Sequence, residues 1–214
     1  MINSLLKVSI FKTLLFNLHY FGLKGLRIPV LVSKNVLFKC MRGGVILESF
    51  RTCNVKIGFE KTGILDPKYS RFIWFVEGEV ALGDNVNISS GVKLSCAKNA
   101  KLTIGANSSI NINTEIICMD NINIGKNTLI SWNVLVMDSD FHKIGNKESF
   151  NRVTKPIQIG EHVWICCRAI LLKGSIIPND CVVAANSIVT KKFEECECLI
   201  SNNVVLKRNV LWEI

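Results

Sequence analysis

An all-β solenoid, a parallel β-helix with a short helical segment before it and a cap after it, is the fold the sequence predicts. Three observations carry the prediction. Aliphatic residues recur at every sixth place: Val76, Leu82, Ile88 and Leu94, then Ile104, Ile110 and Ile116, then Ile124, Ile130 and Val136, then Ile159, Ile165, Leu171, Ile177, Val183 and Val189. Glycine follows the aliphatic at Gly83, Gly105, Gly125 and Gly160. Four places after it stand small or β-branched residues such as Val86, Ser108, Thr114, Thr128, Ala169 and Ser187. A period of six fits neither a helix nor a simple strand, and it is the repeat of stacked coils with one short strand and one corner per hexad. The aliphatic points into the shaft, and glycine is expected to supply the corner's backbone geometry.

In chain order, residues 1–27 read as an amphipathic helical segment, with Leu6, Ile10, Phe11, Leu14, Leu15, Leu18 and Phe21 at helical spacing. Lys7, Lys12 and Asn17 interrupt it, so it falls short of the ~20 apolar residues of a membrane span. It also lacks the small-residue cleavage site of a signal peptide. Its expected role is to cap the main domain, and peripheral association with a membrane through residues 2–21 is the alternative. Residues 28–75 form the first, irregular coils, with strands at 29–32, 36–38, 45–47, 55–57 and 72–76. The regular repeat occupies 76–191, and residues 192–214 form a C-terminal cap. The repeat slips by four residues between Leu94 and Ile104 and by two between Ile116 and Ile124, which reads as small corner bulges. The excursion from Val136 to Ile159 is far longer, and its loop, 137–156, holds Asp138, Asp140 and His142. Such a departure from a regular scaffold is a usual place for function.

Composition narrows the function classes. Nearly half of the 214 residues are hydrophobic, enough for a packed core. The net charge of +9 suits an anionic partner, yet the basic residues run no longer than a pair such as Lys191-Lys192. An extended nucleic-acid footprint is therefore not expected, and a few phosphates on a cofactor or a lipid-linked substrate fit better. Nine cysteines without a CxxC pair or a Cys/His cluster argue against disulfides and zinc alike, and point to reduced thiols in a cytoplasmic protein.

The hexads resemble those of the hexapeptide-repeat acyltransferases, whose fold is a left-handed β-helix. The block Ile157-Gln-Ile-Gly-Glu-His-Val-Trp-Ile165, with Ile170–Ser175 and Ala185–Lys191, is similar to the galactoside, maltose and xenobiotic acetyltransferase branch. The stretch Ile130–His142 is more similar still to O-acetyltransferases of bacterial surface-polysaccharide synthesis. The resemblance implies a homotrimer with active sites in the clefts between subunits, acetyl-CoA as donor, and a sugar or lipid-linked glycan as acceptor.

Residue by residue, His142 matches the family's catalytic histidine, a general base suited by its near-neutral pKa to removing a hydroxyl proton. Asp138 or Asp140 either orients the imidazole or shapes the loop. For the cofactor, Trp164 resembles the tryptophan flanking the pantetheine arm, Ala184, Ala185 and Ser187 match the backbone stretch beneath it, Cys167 is a further candidate at a position where the galactoside branch has serine, and Lys191 stands where a point charge meets a CoA phosphate. Lys192 and Arg208 are secondary candidates. On the acceptor side, Asn111 matches a binding asparagine, Asn113 is its neighbour, and Trp132 either stacks on a sugar or seals a trimer interface. Departures are also visible. Cys166 replaces a usual glycine, Cys167 a serine, Ala184-Ala185-Asn186 a Gly-Ala-Gly, and Ser201-Asn202-Asn203-Val204 a Gly-Asn-Pro-Ala turn.

Two enzyme readings remain, O-acetylation of a sugar hydroxyl and N-acetylation of an amino sugar, beside a non-catalytic assembly solenoid. A zinc lyase of the γ-carbonic-anhydrase kind needs three converging histidines. The chain has three in all, His19, His142 and His162, and one sits in the opening helix. No metal is expected.

Overall fold

A computed structural model describes residues 7–59, 63–66, 68–146 and 148–213. The chain winds three sides per coil. The coils are β1 (Val30–Val32), β2 (Val36–Met41) and β3 (Gly44–Leu47); β4 (Val55–Ile57), β5 (Phe72–Val76) and β6 (Glu79–Leu82); β7 (Asn87–Ile88), β8 (Lys93–Cys96) and β9 (Lys101–Ile104). They continue as β10 (Ser109–Ile110), β11 (Glu115–Cys118) and β12 (Asn121–Ile124); β13 (Leu129–Ile130), β14 (Leu135–Met137) and β15 (Ile157–Ile159); β16 (Trp164–Ile165), β17 (Ile170–Leu172) and β18 (Ile176–Ile177). A last part-coil holds β19 (Val182–Val183) and β20 (Ile188–Val189), and a hairpin of β21 (Leu199–Ser201) and β22 (Val204–Lys207) ends the stack. Each strand pairs in parallel with its counterpart one coil on, giving three sheets that run the length of the shaft. The antiparallel β21–β22 pairing closes the first sheet.

All sixteen hexad aliphatics are at most 2% exposed. They stack as three ladders, one per sheet, such as Ile88–Ile110–Ile130–Ile165–Val183. The register moves one member. Trp74, not Val76, pairs with Leu94, so Trp74 heads the second sheet's ladder, while Val76 heads an extra inward row with Cys96 and Cys118. The slips expected as corner bulges are that row: β8 and β11 run to four residues, each carrying a second inward side chain. The irregular segment 30–57 pairs in the same three sheets as the later coils.

Corner chemistry also differs from expectation. Gly83, Gly105, Gly125 and Gly160 do not adopt positive φ. They are needed because successive coils touch there: a Cβ on Gly125 would lie 2.3 Å from the Gly160 carbonyl oxygen. The left-handed turn falls two residues later, at Asn85, Asn107, Asn127, His162 and Asp180, where short polar side chains tolerate it. A second such ladder, Gly91, Asn113, Asn133, Arg168 and Asn186, marks the corner between the first and second sheets. Inside, buried hydroxyls stitch coil to coil: Ser108 Oγ and Thr128 Oγ1 donate to the carbonyls of Gly125 and Gly160.

The helix α1 (Ile10–Phe21) is shorter than expected and is followed by a 3₁₀ turn, Gly22–Arg27; Leu6 lies outside the described residues. Its buried face is not the aliphatic stripe but Thr13, Phe16 and Asn17. The reason is the open edge of β1, whose backbone groups need partners. Asn17 donates to the Val30 carbonyl and accepts from the Val30 N–H, and Thr13 does the same with Val32. Phe16 fills the shaft's end against Phe38 and Trp74. A buried helix face that must satisfy a strand edge has to be partly polar, so the aliphatic stripe turns outward. No helix among the described residues is long and apolar enough to cross a membrane.

Candidate active site

The loop after β14 leaves the corner between the second and third sheets. Its two limbs are held as a ladder: the Asp140 N–H donates to the Val153 carbonyl, the Lys155 N–H to the Asp138 carbonyl, and Ser139 bridges Thr154. Phe141 takes a positive φ, with its N–H on Ser139 Oγ, and this turn presents His142 to solvent. The imidazole makes no hydrogen bond within the described residues.

Neither carboxylate turns to it. Asp138 is fully buried, and its two oxygens accept from the Met119 and Asp120 N–H groups at 2.7 and 2.9 Å. Burial pushes its pKa up, against the opposing pull of those backbone donors. Asp140 pairs with Lys173, which also donates to the Arg152 carbonyl on the returning limb. Both aspartates therefore brace the loop. Lys173 is a residue the sequence reading missed, though Leu171 shares Val136's ladder and so puts Lys173 in the column of Asp138.

Most of the cofactor and acceptor candidates, Lys191 excepted, lie at or beside another place, the corner between the first and second sheets. Trp132, Cys167 and Ala185 occupy one column of it, linked by Arg168 N–H to the Trp132 carbonyl and Asn186 N–H to the Cys167 carbonyl. Asn111, Ser131, Cys166 and Ala184 form the adjacent column, joined by the same kind of backbone bond through the preceding strand. Trp132 projects, 39% exposed. Trp164, half-buried, donates from its indole to Ser131 Oγ at 3.0 Å. Its ring lies 6.0 Å from that of Trp212, which itself stacks on His162 at 4.4 Å. His162 is further tied to Asp180, in keeping with a structural histidine. Ser187 is fully buried, with its hydroxyl on Ser201, its N–H on the Ala184 carbonyl and its carbonyl on the Ile170 N–H, so neither its side chain nor its backbone is open to a ligand. Burial raises the Cys166 thiol to about 11, which leaves it protonated and a poor nucleophile at neutral pH.

At the C-terminal end a groove of about 420 Å³ is lined by Lys191, Lys192, Phe193, Asn203 and Arg208. Lys192 pairs with Glu194 and Arg208 with Glu195, while the Lys191 ammonium lies 5.3 Å from the Phe193 ring centre. Glu194 and Glu195 line the same groove, so of its three cations only Lys191 has no carboxylate partner among the described residues. Asn113 lines a second groove of about 460 Å³ with Tyr69, Arg71, Lys93, Glu115 and Asn133. Its φ of +56° also makes it a corner residue. Tyr69 and Arg71 stand in the insertion between β4 and β5, which carries no repeat. His19, on α1, donates from Nε2 to the Met41 carbonyl, far from the other two histidines in the fold. Among the described residues no group of three His, Cys, Asp or Glu is placed to hold a metal.

The fold is that of the left-handed β-helix acyltransferases. It superposes on the crystal structure of the polySia-specific acetyltransferase NeuO with a TM-score of 0.54 and 24% identity, covering 86% of this chain and 82% of that one. In sequence, the chain is 29% identical over 138 residues to an uncharacterized 24.8 kDa protein in the cps region of Klebsiella pneumoniae, covering 64% of this chain and 61% of the relative. It is 24% identical over 152 residues to the putative lipopolysaccharide biosynthesis O-acetyl transferase WbbJ of Escherichia coli K12, covering 64% of this chain and 78% of the relative. The chain thus spans about three fifths of the Klebsiella protein's length. No family model matches it.

Proposed function

We propose that the protein is an acetyl-CoA-dependent O-acetyltransferase that esterifies a sugar hydroxyl of a surface polysaccharide or of its lipid-linked precursor, with His142 as the general base. The observation that carries this reading is a solvent-facing imidazole without a hydrogen-bond partner among the described residues, on a loop braced from both limbs by Asp138 and Lys173. Base catalysis needs that combination: a free ring nitrogen, and a fixed position for it. The relatives' names, one a lipopolysaccharide O-acetyl transferase and one a protein of a cps region, supply the acceptor class.

The thioester supplies the acetyl group. His142 takes the hydroxyl proton as the sugar oxygen attacks, an ester forms, and the proton returns to the departing thiol. No enzyme nucleophile is required, in keeping with the protonated Cys166. The loop and the Trp132–Cys167–Ala185 column leave the second sheet at opposite corners, so one copy does not bring them together. A homotrimer that sets the loop of one copy against the corner column of the next satisfies this, and the C-terminal groove with Lys191 would hold the CoA phosphates. The reaction takes place in the cytoplasm, where acetyl-CoA is made.

The test is turnover of acetyl-CoA against a panel of sugars and polysaccharide repeat units, with products read by mass spectrometry before and after mild base. An acetyl mass that mild base removes is the expected result. A base-stable acetyl mass would move the assignment to an amino sugar. Failure to bind CoA by calorimetry would leave an assembly solenoid.

A further inference from the structure

The helix α1 carries its aliphatic stripe on the side away from the shaft. Its inner face closes the shaft, and the diametrically opposite face presents Phe11, Leu14, Leu15 and Leu18 to solvent, with Phe11 75% exposed. The 3₁₀ turn extends the surface with Leu23 and Leu26, 84% and 60% exposed. Among the described residues nothing covers this face: the end of the shaft is sealed by Thr13, Phe16 and Asn17 beneath it. A soluble surface helix ordinarily turns polar groups outward, and an apolar patch of this extent marks a contact.

Charge decides what the contact is. Residues 1–47 contain seven Lys and Arg and no Asp or Glu, whereas the remaining residues carry nineteen basic against seventeen acidic side chains. Most of the net +9 therefore sits at this end of the solenoid. Lys24 and Arg27 alternate with the exposed Leu23 and Leu26 in the turn, and Lys34 and Lys39 are exposed on the first coil. Lys12 lies against the Lys34 and Val36 carbonyls, so its stem runs along the helix flank. A second copy docked face to face here would set cation against cation, and the rest of the solenoid, with nineteen basic and seventeen acidic side chains, brings no net negative charge to a head-to-tail contact either. An anionic lipid surface answers both features, since leucine and phenylalanine enter the acyl boundary while lysine and arginine stay at the headgroups.

The geometry points to the α1 and 3₁₀ face as a docking site for an anionic membrane surface, on which the solenoid stands by its N-terminal end. This does not depend on the chemistry assigned to His142.

The test uses the full chain and co-sedimentation with vesicles of phosphatidylglycerol and phosphatidylethanolamine, compared with neutral phosphatidylcholine vesicles. Binding to the anionic vesicles that weakens at least tenfold between 50 and 300 mM salt (about the range over which screening acts) is expected. The triple variant F11S/L15S/L18S, all at exposed positions, should lose at least tenfold in binding with an unchanged melting temperature, and so should K24E/R27E. Equal binding to neutral vesicles, no binding to either, or binding retained by both variants overturns the proposal. A change in oligomeric mass of the triple variant by sedimentation, without vesicle binding by the parent, would give the face to a second copy and likewise overturn it.

Discussion

Asp140 and Lys173 are joined across neighbouring coils, and the same Lys173 ammonium holds the carbonyl of Arg152. One side chain from the regular scaffold thus grips the outgoing and the returning limb of the loop that carries His142. Lys173→Met keeps the stem and removes both bonds. Turnover should fall about ten- to a hundredfold through loss of positioning, with the KM for acetyl-CoA nearly unchanged. Steady-state kinetics read this directly, and wild-type turnover in Lys173→Met would show that the clamp is not needed.

Asp138 makes a second anchor of a different kind. Its two oxygens serve two backbone donors, and asparagine in its place can accept from only one. Asp138→Asn should cost about 1–3 kcal/mol in urea unfolding at neutral pH, the range for a buried donor left unmet. The pH dependence has a sign. Burial raises the folded pKa above the unfolded one, so protonation stabilises the folded state, and that contribution is lost as pH rises through the folded pKa. The asparagine variant does not titrate there. The stability difference between wild type and variant should therefore grow as pH falls through the raised pKa toward the unfolded value.

The corner glycines are required by contact rather than by φ. Gly125→Ala drives a Cβ to 2.3 Å from the Gly160 carbonyl oxygen, between backbone atoms that cannot rotate away. A loss of about 2–3 kcal/mol is expected, a drop of roughly 5–10 °C in melting temperature for a chain of this size. Alanine at Gly44, where nothing lies within 4 Å, is the control and should melt close to wild type.

Trp164 is fixed by its bond to Ser131 and by the nearby Trp212 ring. If it flanks the pantetheine arm, Trp164→Ala should raise the KM for acetyl-CoA about tenfold while leaving the acceptor KM little changed. A change confined to the acceptor would reassign the tryptophan.

Much of the solenoid was legible because a six-residue period has one structural solution, and each ladder member had only to be aliphatic. The failures have local causes. Val76 was mistaken for a ladder residue because counting by six cannot see that β5 carries two inward rows, Trp74 in one and Val76 in the other. The buried face of α1 could not be read from hydrophobic spacing, which ranks aliphatics above Thr13 and Asn17, whose burial is dictated by the bare edge of β1. In the site, His142 could be singled out by its loop. The partners of Asp138 and Asp140 come from other coils, Met119 and Asp120 one turn back and Lys173 one turn on, and a motif read along the chain does not contain them.

The general base is tested most directly by His142→Ala, assayed for acetyl transfer to an accepted sugar with CoA binding measured calorimetrically on the same sample. Turnover should fall by about a hundredfold to ten-thousandfold, the range for removing a positioned base, while CoA affinity and melting temperature stay at wild-type values. Transfer within a few-fold of wild type in that variant would contradict the assignment of His142.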